Sequence, residues 1–257
     1  MRRLTLMAAM VLGIAQAAAA LDDSKLVDLT YPFDAQTIYW PTEKPFALES
    51  IFNGKTEQGY YYAANKFCAP EHGGTHMDAP VHFAEGKRSV DQVPLSSLIG
   101  PAVVVDVREQ AARDRDYRLA VADLKTWEKA HGRIPDGAIV VLYSGWGKRW
   151  GDKKAYLGSD VLGDVANLHF PGFSAEAARW LVGQRQIDAI AVDTPSIDHG
   201  PSKDFPVHRI INGADLPAFE NVANVDRLPA KGATLIALPM KIGGGSGAPA
   251  RVIGVLP

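Results

Sequence analysis

The stretch "EHGGTHMDAPVHF", residues 71–83, holds three of the chain's seven histidines and one aspartate. Imidazole and carboxylate are the usual ligands of zinc, manganese and iron(II). His72, His76, Asp78 and His82 carry even numbers, so on an ideal strand they would share a face. On such a strand His72 and His82 would lie about 33 Å apart, far beyond the reach of one ion. A helix would align His72 with His76 but turn Asp78 away, and Gly73, Gly74 and Pro80 oppose a helix. The segment is therefore expected to bend around a cation, with His72, His76 and Asp78 as ligands. His82, beyond the proline, would stand just outside as a proton carrier. The plainer alternative is a histidine-rich surface loop that binds nothing.

Several elements must position such a site. Runs rich in β-branched and aromatic residues predict strands at 25–30, 59–67, 102–107, 138–144, 187–193, 233–239 and 251–256. One helix is expected over Val121–His131, stopped by Gly132, and another after the N-cap candidate Ser174. Helices falling between strands predict an α/β or α+β domain with a mixed sheet.

With 257 residues, 47% of them hydrophobic, the chain is long enough for one large domain or two small ones with a sizeable core. A net charge of −2 argues against nucleic acid as the main partner. The first twenty residues read as a cleaved signal peptide: Arg2 and Arg3, then an alanine-rich apolar run, then an A-x-A-like site ending at Ala20. The run is short for a membrane anchor, the competing reading, and no later segment is long and apolar enough to span a bilayer. A periplasmic or secreted protein with a domain over 21–257 is the expectation. Cys68 is the only cysteine, so no internal disulfide forms, and between Phe67 and Ala69 it reads as a buried inert thiol.

The motif "HGGTHMDAPVHF" resembles the H-x-G-T-H-x-D-x-P-x-H signature of the metal-dependent cyclase family, to which bacterial kynurenine formamidases and isatin hydrolases belong. Other segments resemble that family in the same order: "IYWPTEKPF" (38–46), "AIAVDTPSID" (189–198), "AFENVANVDRLP" (218–229), with Phe219 where leucine is usual, and the C-terminal stretch 234–257. The resemblance implies a compact single α/β domain with a mixed, barrel-like sheet of the swivelling β/β/α type. It implies one or two divalent ions, zinc or manganese. His72 and His76 would bind one metal and His208 a second. Asp78 and Glu220, twelve residues after His208, would bridge them, and His82 would be catalytic. By itself His208 reads equally well as an ordinary loop histidine. His199, after the "DTPSID" turn, reads as exposed. The resemblance also implies a homodimer or higher oligomer, its sites completed by a neighbour's N-terminal arm carrying "IYWPT".

A divalent metal lowers the pKa of bound water and polarises a carbonyl, which suits amide hydrolysis. Histidine titrates near working pH, so His82 can take the water's proton and deliver it to the leaving nitrogen. No G-x-S-x-G elbow is present, which disfavours a serine mechanism. The resemblance implies a small aryl formamide or cyclic lactam as substrate, with Trp40 as its contact; planar substrates stack on aromatic rings, so Phe67 and Trp146 are candidate wall residues, and His169 could line the pocket. Thr42 departs from the glycine usual in formamidases. The long segment 144–174 is more like isatin-hydrolase-type members. A lyase or cyclising enzyme on the same metal scaffold, and a non-catalytic periplasmic metal-binding carrier, are the competing readings.

Overall fold

The computed structural model describes residues 22–257; the signal-peptide reading of residues 1–20 lies outside them. The strands are β1 (Leu26–Asp28), β2 (Ala47–Lys55), β3 (Tyr61–Cys68), β4 (His76–Asp78), β5 (Ile99–Asp106), β6 (Arg118–Leu119), β7 (Ile139–Tyr143), β8 (Gly172–Phe173), β9 (Ala189–Val192), β10 (Ala218–Glu220), β11 (Thr234–Pro239) and β12 (Gly247–Val255). The helices are α1 (Arg108–Arg113), α2 (Val121–His131), α3 (Lys153–Leu157), α4 (Ala175–Gln184) and α5 (Pro206–Gly213).

The main sheet runs β1-β12-β11-β5-β7-β9-β10-β4, and a further pairing of β4 with β12 closes seven of its eight strands into a barrel. Strands β5, β7, β9 and β10 are parallel to their neighbours in that order, and the remaining pairings are antiparallel. This is the mixed, barrel-like α/β domain the sequence led us to expect.

Side-chain alternation divides the buried residues into two layers. Ala102, Val104, Ile139, Val141, Ala189 and Ala191 face the barrel interior together with Met77, Leu235 and Val252. Their neighbours Val103, Val105, Val140, Leu142, Ile190 and Val192 face outwards onto Leu124 and Trp127 of α2, Leu181 of α4 and Ile211 of α5. Strands apolar on both faces read as continuous runs, which is why β5, β7 and β9 stand out in the sequence.

Both expected helices form. Gly132 ends α2 at φ 90°, and Ser174 caps α4 by accepting the Ala177 N–H at 3.0 Å. Strands β2 and β3 pair only with each other, as a hairpin outside the barrel. Its side chains are exposed, Cys68 included, so the expectation of a buried thiol is corrected.

Candidate active site

The bend expected around residues 71–83 occurs at both ends, with a straight piece between. His76, Met77 and Asp78 form β4, pinned between β10 and β12. His76 and Asp78 project from one face, while Met77 on the other fills the barrel core. Register places Glu220 of β10 directly opposite His76, which makes the pair cross-strand neighbours. Before the strand, Gly74 turns the chain in the left-handed region at φ 56° and swings His72 back over the site. A Cβ on Gly73 would fall 2.0 Å from a ring carbon of Tyr39, so only glycine admits that ring. After the strand, a single 3-10 turn, Pro80–His82, returns His82 to the same side. Thr75 anchors the segment by donating to the Asn221 carbonyl at 2.7 Å and accepting from the Tyr31 N–H at 3.0 Å.

His208 lies on α5, not in a loop. Asp198 holds the start of that helix by accepting from the backbone N–H groups of Val207 and His208, and it pairs with His208 Nδ1 at 2.7 Å. The opposite nitrogen, Nε2, lies 3.2 Å from Asp78 Oδ2 and 3.3 Å from Glu220 Oε1. His76 Nε2 lies 3.2 Å from Asp78 Oδ1 and 3.5 Å from Glu220 Oε2, while its Nδ1 reaches the Gly74 carbonyl at 2.9 Å. His72 Nδ1 contacts Asp78 Oδ1 at 2.7 Å. All five expected ligands thus converge. His76, Asp78, His208 and Glu220 are each no more than 5% exposed.

This donor set fits a cation. His76 Nε2 is buried and has no hydrogen bond of acceptable geometry although two carboxylates stand beside it. Burial raises the pKa of Glu220, and the Asp78 charge raises it further. Burial also opposes ionisation of Asp78, but His208, His72 and His76 outweigh it and hold the carboxyl well below its usual range. Burial opposes the charged forms of His76 and His208 as well. In His76 the Asp78 and Glu220 carboxylates reverse that effect, and in His208 the partners Asp198, Asp78 and Glu220 do so, so both are raised. Two buried carboxylates set against imidazole nitrogens make a donor set of the kind that divalent cations accept. Donor atoms within 4.8 Å of one another fall into two groups, His76–Asp78–Glu220 and His72–Asp78–His82, with Asp78 common to both.

His82 is set apart. Its ring stacks on His72 at 3.8 Å and lies 5.9 Å from that of His208. His72, His76 and His208 each have a hydrogen-bond partner, whereas no side-chain partner of His82 occurs among the described residues. Burial pushes its pKa down to about 4, so the titration near working pH expected from the sequence does not hold in the metal-free fold, and the ring is a neutral proton acceptor.

The cluster forms the floor of a cavity of 380 Å³. Ile38, Trp40, Phe83, Leu157 and Phe205 supply apolar walls, with Glu43 among the polar lining residues. Trp40 therefore stands where expected, 6.3 Å from the Phe205 ring. The other three wall residues do not line the cavity. Phe67 is on the outer hairpin, stacked on Phe46. Trp146 is buried behind the wall, where its indole N–H donates to the Tyr156 carbonyl at 2.8 Å. His169 pairs with Asp116 at 2.7 Å outside the cavity. The long segment 144–174 still shapes one wall, through Leu157 of α3. His199 is half-buried, not exposed. The "IYWPT" segment packs on its own chain, with Tyr39 bridged to Gly73 and Ile38 and Trp40 lining the cavity. Phe83, Phe205 and Asp198 carry no signal of their roles in the sequence. Asp198 was within a recognised segment, but its ten-residue separation from His208 matches no local periodicity.

A closed mixed barrel whose floor gathers buried imidazoles and carboxylates beneath aromatic walls defines a metal-dependent hydrolase centre. The putative cyclase family matches residues 27–199, and the chain belongs to that family. An isatin hydrolase of Roseibium aggregatum is 35% identical over 77% of each chain. A kynurenine formamidase of Salinibacter ruber is 30% identical over 89% of this chain and 96% of its own. Among solved structures, isatin hydrolase A from Ralstonia solanacearum matches with a TM-score of 0.81 and 35% identity, over 90% of this chain and 92% of its own. An isatin hydrolase bound to the product analogue thioisatinate matches with a TM-score of 0.82 and 31% identity, over 91% and 92%. The chain is an enzyme of the same class, a metal-dependent hydrolase of carbon–nitrogen bonds other than peptide bonds.

Proposed function

We propose that the enzyme opens a small aromatic lactam of the isatin type, with a linear aryl formamide such as N-formylkynurenine as the second substrate class. The observation that carries this reading is the placement of His82, unbonded and neutral, between the ligand cluster and the aromatic walls. The lactam comes first because a flat bicyclic ring suits the space among Trp40, Phe83 and Phe205. The formamide stays in view because formamidases match over nearly their whole length.

His72, His76, Asp78, His208 and Glu220 would hold the cation, zinc or manganese, both of which accept mixed imidazole and carboxylate ligands. When bound, it supplies an activated water and a Lewis acid for the carbonyl. The chain's own groups do the rest. Trp40, Phe83 and Phe205 orient the ring and exclude bulk water. His82 accepts a proton from the attacking water and delivers it to the nitrogen as the C–N bond breaks, giving an amine and a carboxylate on one ring-opened product from a lactam, or a free amine and formate from a formamide.

The reading extends to assembly and location. The β2–β3 hairpin exposes Leu48, Ile51, Phe52, Tyr61, Tyr62 and Phe67, and an isolated two-stranded ribbon is marginal in water. We assign it to pairing with a second copy, giving a homo-oligomer. The leader-like residues 1–20 assign the enzyme to the periplasm or the medium. Residues 21–257 form the catalytic domain.

Metal analysis of the purified protein, with isatin and N-formylkynurenine hydrolysis on the same sample, tests the proposal. One or two equivalents of zinc or manganese and turnover of either compound are expected. A metal-loaded protein that hydrolyses neither compound would overturn the substrate reading.

A further inference from the structure

His72 is the most exposed of the proposed ligands, its side chain 25% accessible, and it sits on a glycine turn rather than on a strand or helix. Something else must fix its ring. Its outer nitrogen, Nε2, lies 3.0 Å from the hydroxyl of Ser246, in the "GGGSG" turn leading into β12. That hydroxyl donates to Glu71 Oε2 at 2.6 Å. The same carboxylate oxygen accepts the backbone N–H groups of Ser246 at 2.9 Å and Gly247 at 3.3 Å, which locks the turn to the residue just before His72. A Cβ on Gly247 would lie 2.4 Å from His72 Cε1, so the turn packs directly against the ring.

A serine hydroxyl has one proton. With that proton committed to Glu71, Ser246 Oγ can only accept, and the atom it faces must be an N–H. We infer that Ser246, held by Glu71, positions His72 by keeping a hydrogen on Nε2, so that Nδ1, which faces Asp78 Oδ1 at 2.7 Å, is the nitrogen that can exchange its proton for a cation. Orienting partners of this kind commonly govern metal affinity as strongly as the orientation of the ligand itself demands. Each of the three imidazoles then has its own orienting group: Ser246 for His72, the Gly74 carbonyl for His76 and Asp198 for His208. Because His82 stacks on His72, the same pair also holds the surface against which the proton carrier rests.

This inference rests on the metal reading, and the test separates the two. Zinc affinity is measured by chelator competition on the full chain for wild type, Ser246→Ala, Ser246→Thr, Glu71→Gln and His72→Ala, alongside melting of each metal-free variant. Ser246→Ala is expected to bind zinc about 10–100-fold more weakly, with Ser246→Thr restoring most of the affinity and metal-free melting unchanged. Should Ser246→Ala lower metal-free melting, Glu71→Gln decides, since it keeps the serine and its packing. A Glu71→Gln affinity equal to wild type then overturns the inference. Ser246→Ala binding as tightly as wild type while His72→Ala loses zinc also overturns it and leaves the metal reading intact. Undiminished binding by His72→Ala sinks both.

Discussion

His82 and His76 show how neighbours turn one side chain into two kinds of group. His76 is gripped through Nδ1 and surrounded by carboxylates, whereas His82 stacks on the His72 ring and meets Phe83 edge-on. Replacing His82 with alanine is expected to leave metal content intact and to lower kcat by about two to four orders of magnitude; near-normal turnover would remove it from the mechanism. His76 and His208 have raised pKa values in the metal-free fold. A raised value stabilises the fold below the unfolded histidine pKa near 6.5, and that stability is lost as pH rises through the folded value. Ligation needs neutral rings, so cation uptake must expel their protons. Apparent metal affinity should therefore climb as pH rises through the ordinary histidine value near 6.5 towards the raised values of His76 and His208, and calorimetry in buffers of different ionisation enthalpy should record net proton release. Binding with no proton release would mean that these rings are not ligands.

At the level of elements, the sequence made strands β5, β7 and β9 visible because both faces are apolar, and made α2 and α4 visible through Gly132 and Ser174. Strand β4 was invisible. Three residues are too few to display alternation, and its pairing comes from residues 218–220 and 247–249. The start of α5 was also hidden, although Pro206 occupies a favoured first position. Phe205 before it takes the left-handed region at φ 47°, a strained setting for a bulky residue that places its ring in the cavity wall. The ligand motif was legible as chemistry, whereas Trp40 followed only from the family resemblance. Phe67, Trp146 and His169 were misplaced because aromatic identity alone does not tell a cavity wall from a buried support or an outer ribbon. The Gly73 site gives a prediction at this scale. Gly73→Ala forces Tyr39 away from the turn, and destabilisation of about 1–3 kcal/mol is expected from denaturant unfolding of the metal-free protein. An unchanged midpoint would show that the 38–40 segment does not need its seat on the motif.

For the molecule as a whole, the hairpin and the cluster make separate claims. Changing Phe52 and Tyr62, stacked at 5.7 Å on the exposed ribbon, to serine should shift sedimentation towards the monomer while leaving metal content unchanged. A wild-type monomer at micromolar concentration would refute the assembly. Chelation should lower the melting temperature, because a ligand that binds only the folded state stabilises it by mass action. The loss should be largest at high pH, where the metal-free carboxylates no longer share protons with the imidazoles.

The barrel closes where β4 meets β12, a seam joining residue 78 to residue 247. The proposed coordination sphere sits on that seam, and the group that orients His72 lies in the turn leading into β12. The sphere is therefore complete only once β12 has paired with β4, so substitutions that weaken β12 should cost metal loading before they cost the helical layer on the far side of the sheet.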